Sequence, residues 1–307
     1  MKRRLIADTP LHTLQAQLAS AGVFVAMPPF VVHIRSGIAV VAEGLHRMYA
    51  GQHWWAEEGE FADFRVEVRA RRRWLRPMCE FQADGLQPFT PLALGEAFAM
   101  LEWGLNWCIT GYCHHWLALH AAVLERGGRA VILPAPPGSG KSTLCASLMA
   151  HGWRLLSDEL ALIDPSTGLL TPCPRPISLK NASIDILRQR LPHVPMGPVA
   201  HDTLKGTVCH LQVNADSLAR AAEPAMPGWV IFPRYQSGAP LSLQPRGKAE
   251  ALLELQRNAF NRHVHGHRGF EVLADLVTRT GVYDFTYSQI DEALACFDAL
   301  AAEQGAA

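Results

Sequence analysis

Residues 135–143 of the chain, Ala-Pro-Pro-Gly-Ser-Gly-Lys-Ser-Thr, restrict its fold more than any other segment does. An apolar run over residues 130–133 precedes this segment, and a sequence with helical character follows over residues 142–151. A glycine-rich turn between a strand and a helix is the arrangement in which backbone N–H groups and a helix N-terminus surround phosphate groups. The segment therefore predicts an α/β domain with a nucleotide site. The alternative is a chance glycine-rich turn before a helix.

The segment matches the phosphate-binding (Walker A) pattern, with Ala135 at the position of its first glycine. Gly138 and Gly140 permit the backbone angles that bring N–H groups close to a polyphosphate. Lys141 is predicted to hold the β- and γ-phosphates, and the Ser142 hydroxyl is predicted to face Mg²⁺. The predicted contacts to ATP therefore involve the whole segment: Ala135, Pro136, Pro137, Gly138, Ser139, Gly140, Lys141, Ser142 and Thr143.

An acidic pair, Asp158 and Glu159, follows a short predicted strand over residues 154–157, only 17 and 18 residues after Lys141. In motor and transport ATPases the Mg²⁺-linked acid usually comes much further along the chain. An acid this close to the loop is able to accept a proton from a hydroxyl that faces the γ-phosphate. The spacing therefore favours phosphoryl transfer to an alcohol, with a solvated acidic pair at a strand end as the competing interpretation.

His120 lies 21 residues before Lys141, at the start of the two strands that lead into the glycine-rich loop. By itself, a lone histidine among apolar residues is typical of a protein core. Together with the loop and with Gly152, Arg154 and Leu155 before the acids, it resembles the core of HPr kinase/phosphorylase. More narrowly, the chain is similar to the HPr-kinase-related kinases of bacterial peptide and polysaccharide gene clusters, which carry an extra N-terminal region and a Ser-Asp-Glu variant.

The resemblance is specific over about residues 120–160 and implies how four residues act in catalysis. It implies that Asp158 is the general base for the acceptor hydroxyl and that Lys141 clamps the phosphates. It further implies that Ser142 is a Mg²⁺ ligand and that His120 lies near the transferred phosphate. With Glu159 added, the predicted metal ligands are Ser142, Asp158 and Glu159.

The chain departs from this family at several positions. Ala135 stands where the family has Gly, Pro137 where it has a loop Ser, and Glu159 where it has a second Asp. The family's downstream glycine-rich signature loop is matched only by a Pro-x-x-Leu sequence at residues 176–179. These departures favour kinase activity without the reverse phosphorylase reaction, and an acceptor other than HPr.

Weaker candidates lie further along the chain. Residues 174–181 predict a proline-stiffened loop carrying Arg175, a candidate catalytic cation for the transferring phosphoryl group. The alternative is an ordinary surface loop. Arg234 is a lesser candidate of the same kind. Three alternating histidines allow a zinc site, but the absence of nearby Cys or acids favours a polar loop between two helices; they are His263, His265 and His267.

Composition excludes several classes of function. The 307 residues balance 28 Lys and Arg against 28 Asp and Glu, whereas a nucleic-acid binder is expected to carry a basic excess. Charged residues interrupt the most apolar window, residues 92–113, and no apolar stretch follows the N-terminal charges, so no membrane span or signal peptide is predicted. The odd number of cysteines, 7, suggests no disulfide framework. We therefore expect a cytoplasmic protein that binds neither membranes nor nucleic acid.

The predicted architecture is α/β. A smaller mixed α+β region over residues 1–115, with a substrate or assembly role, precedes a P-loop kinase domain over residues 116–307 whose core sheet is similar to the C-terminal domain of HPr kinase. Predicted strands cover residues 30–34, 64–68, 78–82, 117–124, 130–133, 154–157, 229–232 and 282–287, and predicted helices cover residues 92–111, 142–151, 248–258 and 289–302.

The leading hypothesis is a kinase that uses ATP and Mg²⁺ to phosphorylate a serine-type hydroxyl of a peptide or small protein. One alternative is a kinase for a small-molecule hydroxyl. The other is a nucleotide-binding regulatory module with weak ATPase activity. Because members of the resembled family assemble as oligomers, a homo-oligomer is one of the expected states. The acceptor itself is not encoded in a recognisable pattern.

Overall fold

The computed structural model describes residues 3–57, 59–73, 76–136 and 138–305. Helices and strands are interspersed along the chain, which is therefore a mixed α/β protein, as the sequence predicts. The first elements are β1 (Arg4–Leu5), α1 (Leu11–Ala19), β2 (Val23–Met27), β3 (Phe30–Arg35), α2 (Ala39–Met48), β4 (His53–Trp55), β5 (Phe64–Arg73), β6 (Arg76–Ala83), β7 (Leu92–Ala93), a 3₁₀ turn (Leu94–Glu96), α3 (Ala97–Tyr112), β8 (Leu117–Arg126), β9 (Arg129–Pro134) and α4 (Lys141–Ala150). The remaining elements are β10 (Arg154–Ser157), β11 (Leu160–Ile163), β12 (Leu170–Thr171), β13 (Ile177–Lys180), α5 (Ala182–Arg190), β14 (Ala200–Thr203), β15 (Gly206–Leu211), α6 (Ala215–Ala219), β16 (Met226–Tyr235), β17 (Ser242–Pro245), α7 (Lys248–Asn258), α8 (Arg262–Arg279), β18 (Gly281–Tyr287) and α9 (Ile290–Gly305).

These elements form two compact units. Unit 1 comprises Met1–Ile109 and Ser178–Leu218, and unit 2 comprises Thr110–Ile177 and Ala219–Ala307. The predicted boundary after residue 115 lies close to the first break. However, the predicted second domain includes residues 178–218, whereas in the structure they belong to unit 1.

Side-chain packing explains why residues 178–218 join unit 1. Ala200 of β14 and Val208 of β15 form a buried apolar cluster with Ala99 of α3, and Trp103 of α3 packs against this cluster. The ammonium group of Lys205, in the turn between the two strands, lies 4.4 Å from the centroid of the Trp103 ring. This cation–π contact and the apolar cluster hold the β14–β15 hairpin on α3.

Unit 1 contains a mixed sheet with the strand order β1-β4-β2-β3-β5-β6-β7, and β13, β15 and β14 form a second sheet. The predicted strands over residues 64–68 and 78–82 are confirmed within β5 and β6, which pair antiparallel with Val68 opposite Phe81. Trp74 and Leu75, between these two strands in sequence, lie outside the described residues. The predicted helix over residues 92–111 starts late, since Leu92 and Ala93 first form β7 at the sheet edge.

Unit 2 is built on a mixed sheet with the strand order β12-β11-β8-β9-β16-β18-β17, in which β10 also pairs with β8. Strands β9, β16 and β18 are parallel to one another. Strand β8 is antiparallel to both β9 and β10, so β10 runs in the same direction as β9. The carboxyl ends of β9, β10, β16 and β18 therefore lie along one edge of the sheet, where open α/β sheets bind their ligands.

Helices cover both faces of this sheet. On one face, Leu255 of α7 and Leu273 of α8 share an apolar core cluster with Val230 of β16. On the other face, Phe297 of α9 packs edge-on against Phe285 of β18, and α9 contacts α4. None of the helices in the described ranges combines the length and the hydrophobicity of a membrane span.

Most predicted elements of unit 2 are confirmed. The apolar periodicity that predicts each helix or strand is also the pattern that lets it bury one face in the core. The strand over residues 154–157 and the helix over residues 248–258 have the predicted ends. The other six predicted elements are shifted or extended by one to three residues at their ends; they are Leu117–Arg126, Arg129–Pro134, Lys141–Ala150, Met226–Tyr235, Gly281–Tyr287 and Ile290–Gly305.

Helix α9 contributes to the free energy of unfolding of unit 2 through the packing of Phe297. Phe297 is fully buried, and the centroid of its ring lies 5.9 Å from that of Trp153 and 5.3 Å from that of Phe285. We expect Phe297→Ala to lower the free energy of unfolding by about 3–5 kcal/mol, through lost burial and the cavity left behind. Glu292→Ala, at an exposed position of the same helix, is the control and should change it by less than about 0.5 kcal/mol. Similar values for both variants in denaturant titrations would contradict this packing.

Candidate functional site

The glycine-rich loop joins the carboxyl end of β9 to the first turn of α4. Gly138 and Gly140 both adopt a φ of 86°, in the left-handed region that favours glycine. A Cβ on Gly140 would lie 2.5 Å from the hydroxyl oxygen of Tyr287 and 2.8 Å from Cβ of Tyr235. Pro137, one of the predicted nucleotide contacts, lies outside the described residues. The backbone at Gly140 therefore has neither the conformation nor the space for a side chain.

The two loop glycines have the same φ but different surroundings, so alanine at each position separates backbone strain from steric clash. Gly140→Ala is expected to lower the free energy of unfolding by more than 2 kcal/mol, because it adds a steric clash to about 1–3 kcal/mol of left-handed backbone strain. Gly138→Ala should cost the strain alone, since a Cβ there would meet no described residue within 4 Å apart from its chain neighbours. Chemical denaturation of both variants measures the difference. Equal costs would mean that the contact with Tyr287 and Tyr235 does not constrain the loop.

Three of the predicted residues meet directly behind the loop. The Lys141 ammonium donates a hydrogen bond to the backbone carbonyl of Asp158 at 2.6 Å. The Ser142 hydroxyl donates to Oδ2 of the Asp158 carboxylate at 3.3 Å. Lys141 is 8% exposed and Asp158 is 3% exposed. A cation, a hydroxyl and a carboxylate are thus held together where little water weakens their electrostatic interactions.

A register shift in the pairing of β10 with β8 precedes the acidic pair. Strands β10 and β11 both pair antiparallel with β8, and Asp158 and Glu159 lie between them. The register shifts between Leu155 and Ser157, and the backbone N–H of Ala121 donates to the carbonyl of Glu159 at 3.2 Å. A bulge of this kind redirects side chains. The two acids therefore lie where the chain passes from β10 to β11 along the same partner strand, β8. Asp158 is buried there, so the pair is not a solvated strand end.

The second acid lies beside the predicted histidine. Nε2 of His120 is 3.1 Å from Oε2 of Glu159, and the two side chains are 27% and 26% exposed. The exposed ring of Phe260 lies 5.9 Å from the His120 ring, centroid to centroid. The structure therefore places His120 and Glu159 in a half-buried pair, with Glu159 next in sequence to Asp158.

Two side chains that the sequence analysis did not select also belong to the cluster. Cys145, one turn after Lys141 on α4, is fully buried, and the charges of Asp158 and Lys141 both act on its thiol. Burial, together with the negative charge of Asp158, raises the pKa of the thiol well above its ordinary value. The Cys145 thiol therefore stays protonated. Helical spacing from Lys141 was the available signal, since positions four apart share a helix face.

Tyr287 holds the other side of the loop. Its hydroxyl donates to the carbonyl of Gly140 at 3.1 Å, and burial raises the pKa of this phenol, so it remains a donor. The backbone N–H of Tyr235 donates to the carbonyl of Ser139 at 2.8 Å. Both tyrosines end parallel strands of the sheet. The predicted strand over residues 282–287 ends at Tyr287, whereas the predicted strand over residues 229–232 stops before Tyr235, which the longer observed strand includes.

The remaining predicted residues have more varied surroundings. Ala135 is buried, and the carbonyl of Pro136 accepts a hydrogen bond from the N–H of Ser139 at 3.3 Å. The carbonyl of Thr143 accepts one from the Ser147 hydroxyl at 2.8 Å, within α4. These hydrogen bonds lie within the loop and within α4. The contacts of these residues to ATP stay predictions.

Arg175 lies between β12 and β13 and is 9% exposed. The alternative of an ordinary surface loop is therefore wrong for this residue. The chain just before it runs beside β10, since the N–H of Cys173 donates to the carbonyl of Leu156 at 2.8 Å. Arg234 is exposed at the end of β16. A catalytic role for either arginine stays a prediction.

The three alternating histidines are helical, so the predicted polar loop is wrong. Helix α8 begins at Arg262 and is kinked at Gly266, whose φ is 52°. Nε2 of His265 lies 3.0 Å from the carbonyl oxygen of Trp116, and Nδ1 of His267 lies 3.3 Å from a carboxylate oxygen of Glu271. In the described part of the chain, no group of three or more His, Cys, Asp or Glu side chains is arranged to hold a metal ion.

Chemically, the edge of unit 2 combines a glycine loop, a helix N-terminus, a buried cation and a buried carboxylate with a hydroxyl next to it. Backbone N–H groups at a helix N-terminus and a lysine are suited to phosphate groups, and a carboxylate is suited to accept a proton. The sequence matches no protein-family model, and a comparison with curated proteins likewise finds no match. The geometry of these residues is therefore the ground for any functional assignment.

Proposed function

We propose that unit 2 is a P-loop kinase that uses ATP and Mg²⁺ to phosphorylate a serine-type hydroxyl on a peptide or small protein. The observation that carries the proposal is the convergence of Lys141, Ser142 and Asp158 at the carboxyl edge of the sheet, directly behind the glycine-rich loop. The resemblance of residues 120–160 to HPr kinase supports the same assignment.

The residues present fit a polyphosphate. Two loop glycines with positive φ permit close approach of backbone N–H groups, and Lys141 begins α4 with its ammonium held in place. The donor set for a metal is also suitable, since the Ser142 hydroxyl and the carboxylate of Glu159, next in sequence to Asp158, offer hard oxygen ligands. Mg²⁺ typically binds one or two carboxylates together with substrate phosphates and water. When bound, it would neutralise phosphate charge at this position.

In this mechanism Asp158 accepts the proton of the acceptor hydroxyl. The hydroxyl oxygen then forms a bond to the γ-phosphorus, the bond from the γ-phosphorus to the β–γ bridging oxygen breaks, and ADP leaves with that electron pair. Lys141 stabilises the negative charge on the phosphate oxygens, which counts most in a buried site. The hydrogen bond from the Ser142 hydroxyl orients the Asp158 carboxylate. The proton leaves Asp158 for solvent after transfer.

The pair formed by His120 and Glu159 lies next to the proposed base. We assign Glu159 a supporting role in holding Mg²⁺, with His120 orienting its carboxylate through the 3.1 Å contact. Both side chains are more exposed than Asp158, so they face the side from which an acceptor would approach. Their position supports the assignment of Asp158, rather than Glu159, as the buried base.

The test is transfer of label from γ-labelled ATP, with and without Mg²⁺, in a lysate separated into protein and small-molecule fractions. We expect Mg²⁺-dependent labelling of a protein or peptide at a serine-type hydroxyl. Labelling confined to the small-molecule fraction would instead favour a small-molecule kinase. Formation of ADP without any labelled acceptor would favour a regulatory module with weak ATPase activity, and the proposal would then be wrong.

A further inference from the structure

Tyr235 occupies the end of β16, on the strand next to the one that leads into the glycine-rich loop. Strand β16 is parallel to β9 on one side and to β18 on the other. Tyr235 and Tyr287 are register partners, so their side chains lie on the same face of the sheet. That face also carries Phe285, which stacks on Tyr287 and contacts α9 through Phe297.

Several contacts fix Tyr235 against the loop. Its backbone N–H donates to the carbonyl of Ser139 at 2.8 Å. Its ring meets the ring of Tyr287 at an angle of 70°, with the centroids 5.7 Å apart. Tyr287 is in turn bonded to the carbonyl of Gly140. Hydrogen bonds from both tyrosines to the backbone of the glycine-rich loop therefore fix the Tyr235 ring beside that loop.

Despite these contacts, Tyr235 is 47% exposed, whereas its partner Tyr287 is 1% exposed. An aromatic ring that is anchored by its backbone and edge, and still open to solvent, has a free face for a ligand. Aromatic side chains at such positions bind nucleobases by stacking, and this contact tolerates any base because every base has a π-face.

The strand order indicates which part of a nucleotide would reach this ring. The acidic residues Asp158 and Glu159 lie on the β8, β10 and β11 side of β9, and Tyr235 lies on the opposite side, on β16. The γ-phosphate must face the acids if transfer is to occur. The nucleoside at the other end of the triphosphate then extends away from them, toward β16 and β18.

We propose that Tyr235 is the platform on which the nucleobase of ATP stacks in this protein. This inference rests on the proposed function of the loop as a phosphate site. A base subsite built from one aromatic face should discriminate little between bases. We therefore expect the affinities for ATP and GTP to lie within about tenfold of each other.

The experiment compares MgATP with magnesium tripolyphosphate, which has the phosphates but no base, by calorimetry on the full chain. We expect Tyr235→Ala to weaken ATP binding about tenfold and to leave tripolyphosphate binding unchanged. Tyr235→Phe should bind ATP like the wild type, because it keeps the ring. Tyr283→Ala, on the same face of β18 but four residues before Tyr287, is the control for loss of a tyrosine away from the loop.

The outcomes separate this inference from the proposed function. Wild-type binding of both compounds with no effect of Tyr235→Ala on either would overturn the base platform and leave the phosphate site intact. Equal weakening of both compounds would show that Tyr235 only supports the loop, and would also overturn it. A wild-type protein that binds neither compound would refute the proposed function, and the base platform with it.

Discussion

Lys141→Ala should abolish ATP turnover and weaken MgATP binding by roughly a hundredfold or more, since charge-assisted hydrogen bonds to phosphate are among the strongest in proteins. The Lys141 ammonium is buried and is held by a hydrogen bond to the carbonyl of Asp158. Its loss removes the cation that begins α4 beside the predicted phosphate site. Calorimetry and single-turnover kinetics measure the two effects.

A matched control separates this effect from a general loss of positive charge. Lys248 begins α7 at an exposed position, and its ammonium donates to the carbonyl of Thr278 at 2.6 Å. Lys248→Ala should leave binding and turnover within about twofold of the wild type, as expected for an exposed charge. Thermal unfolding of both variants checks that the fold is retained. Turnover by Lys141→Ala near the wild-type rate would remove the central assignment.

Asp158→Asn is the second large expected effect. The amide is nearly isosteric with the carboxylate and keeps an oxygen to accept from Ser142, but it cannot take the acceptor's proton. We therefore expect much of the MgATP affinity to remain while phosphoryl transfer falls by roughly two or more orders of magnitude. Single-turnover measurements at saturating ATP isolate the transfer step from binding.

Glu159→Gln is the companion variant and should behave differently. Its side chain is more exposed than Asp158 and keeps a hydrogen-bond partner in His120. If it helps to hold the metal, the variant should need more Mg²⁺, and excess Mg²⁺ should partly restore the rate. The reverse pattern, with Asp158→Asn rescued by Mg²⁺ and Glu159→Gln inactive, would exchange the two roles and favour an ATPase. No effect of either variant would show that the acid spacing does not indicate a kinase.

The buried thiol of Cys145 adds a constraint on how these variants are interpreted. Ser142 on α4 donates to the Asp158 carboxylate, and Cys145 lies in the next turn of the same helix, so the position of this carboxylate depends on α4 as well as on the register shift within β10. A substitution in α4 that leaves the loop intact is therefore able to move the proposed base. This is a reason to combine each kinetic measurement with a check of stability.

Local sequence determined the elements that carry the site. The apolar run of β9, the glycine pair and the start of α4 lie within a short stretch, and each is encoded by nearest-neighbour preferences: β-branched residues, positive φ at glycine, and helical periodicity. The hairpin of β5 and β6 and the helices α7 and α9 are recognisable for the same reason. The sequence thereby also placed Lys141 and Ser142 at a helix N-terminus.

Tertiary structure alone decided which distant residues meet this segment. The pairing of β10 with β8 brings Asp158 to Lys141 and Ser142, and the parallel pairing of β16 and β18 brings Tyr235 and Tyr287 to the loop. Parallel pairs need long crossover connections, so no pattern of neighbouring residues specifies them. The return of the β14–β15 hairpin to α3 likewise depends on the packing of an apolar cluster. Local preferences act over a few residues, whereas strand order and burial are chosen by the whole chain when it forms its core.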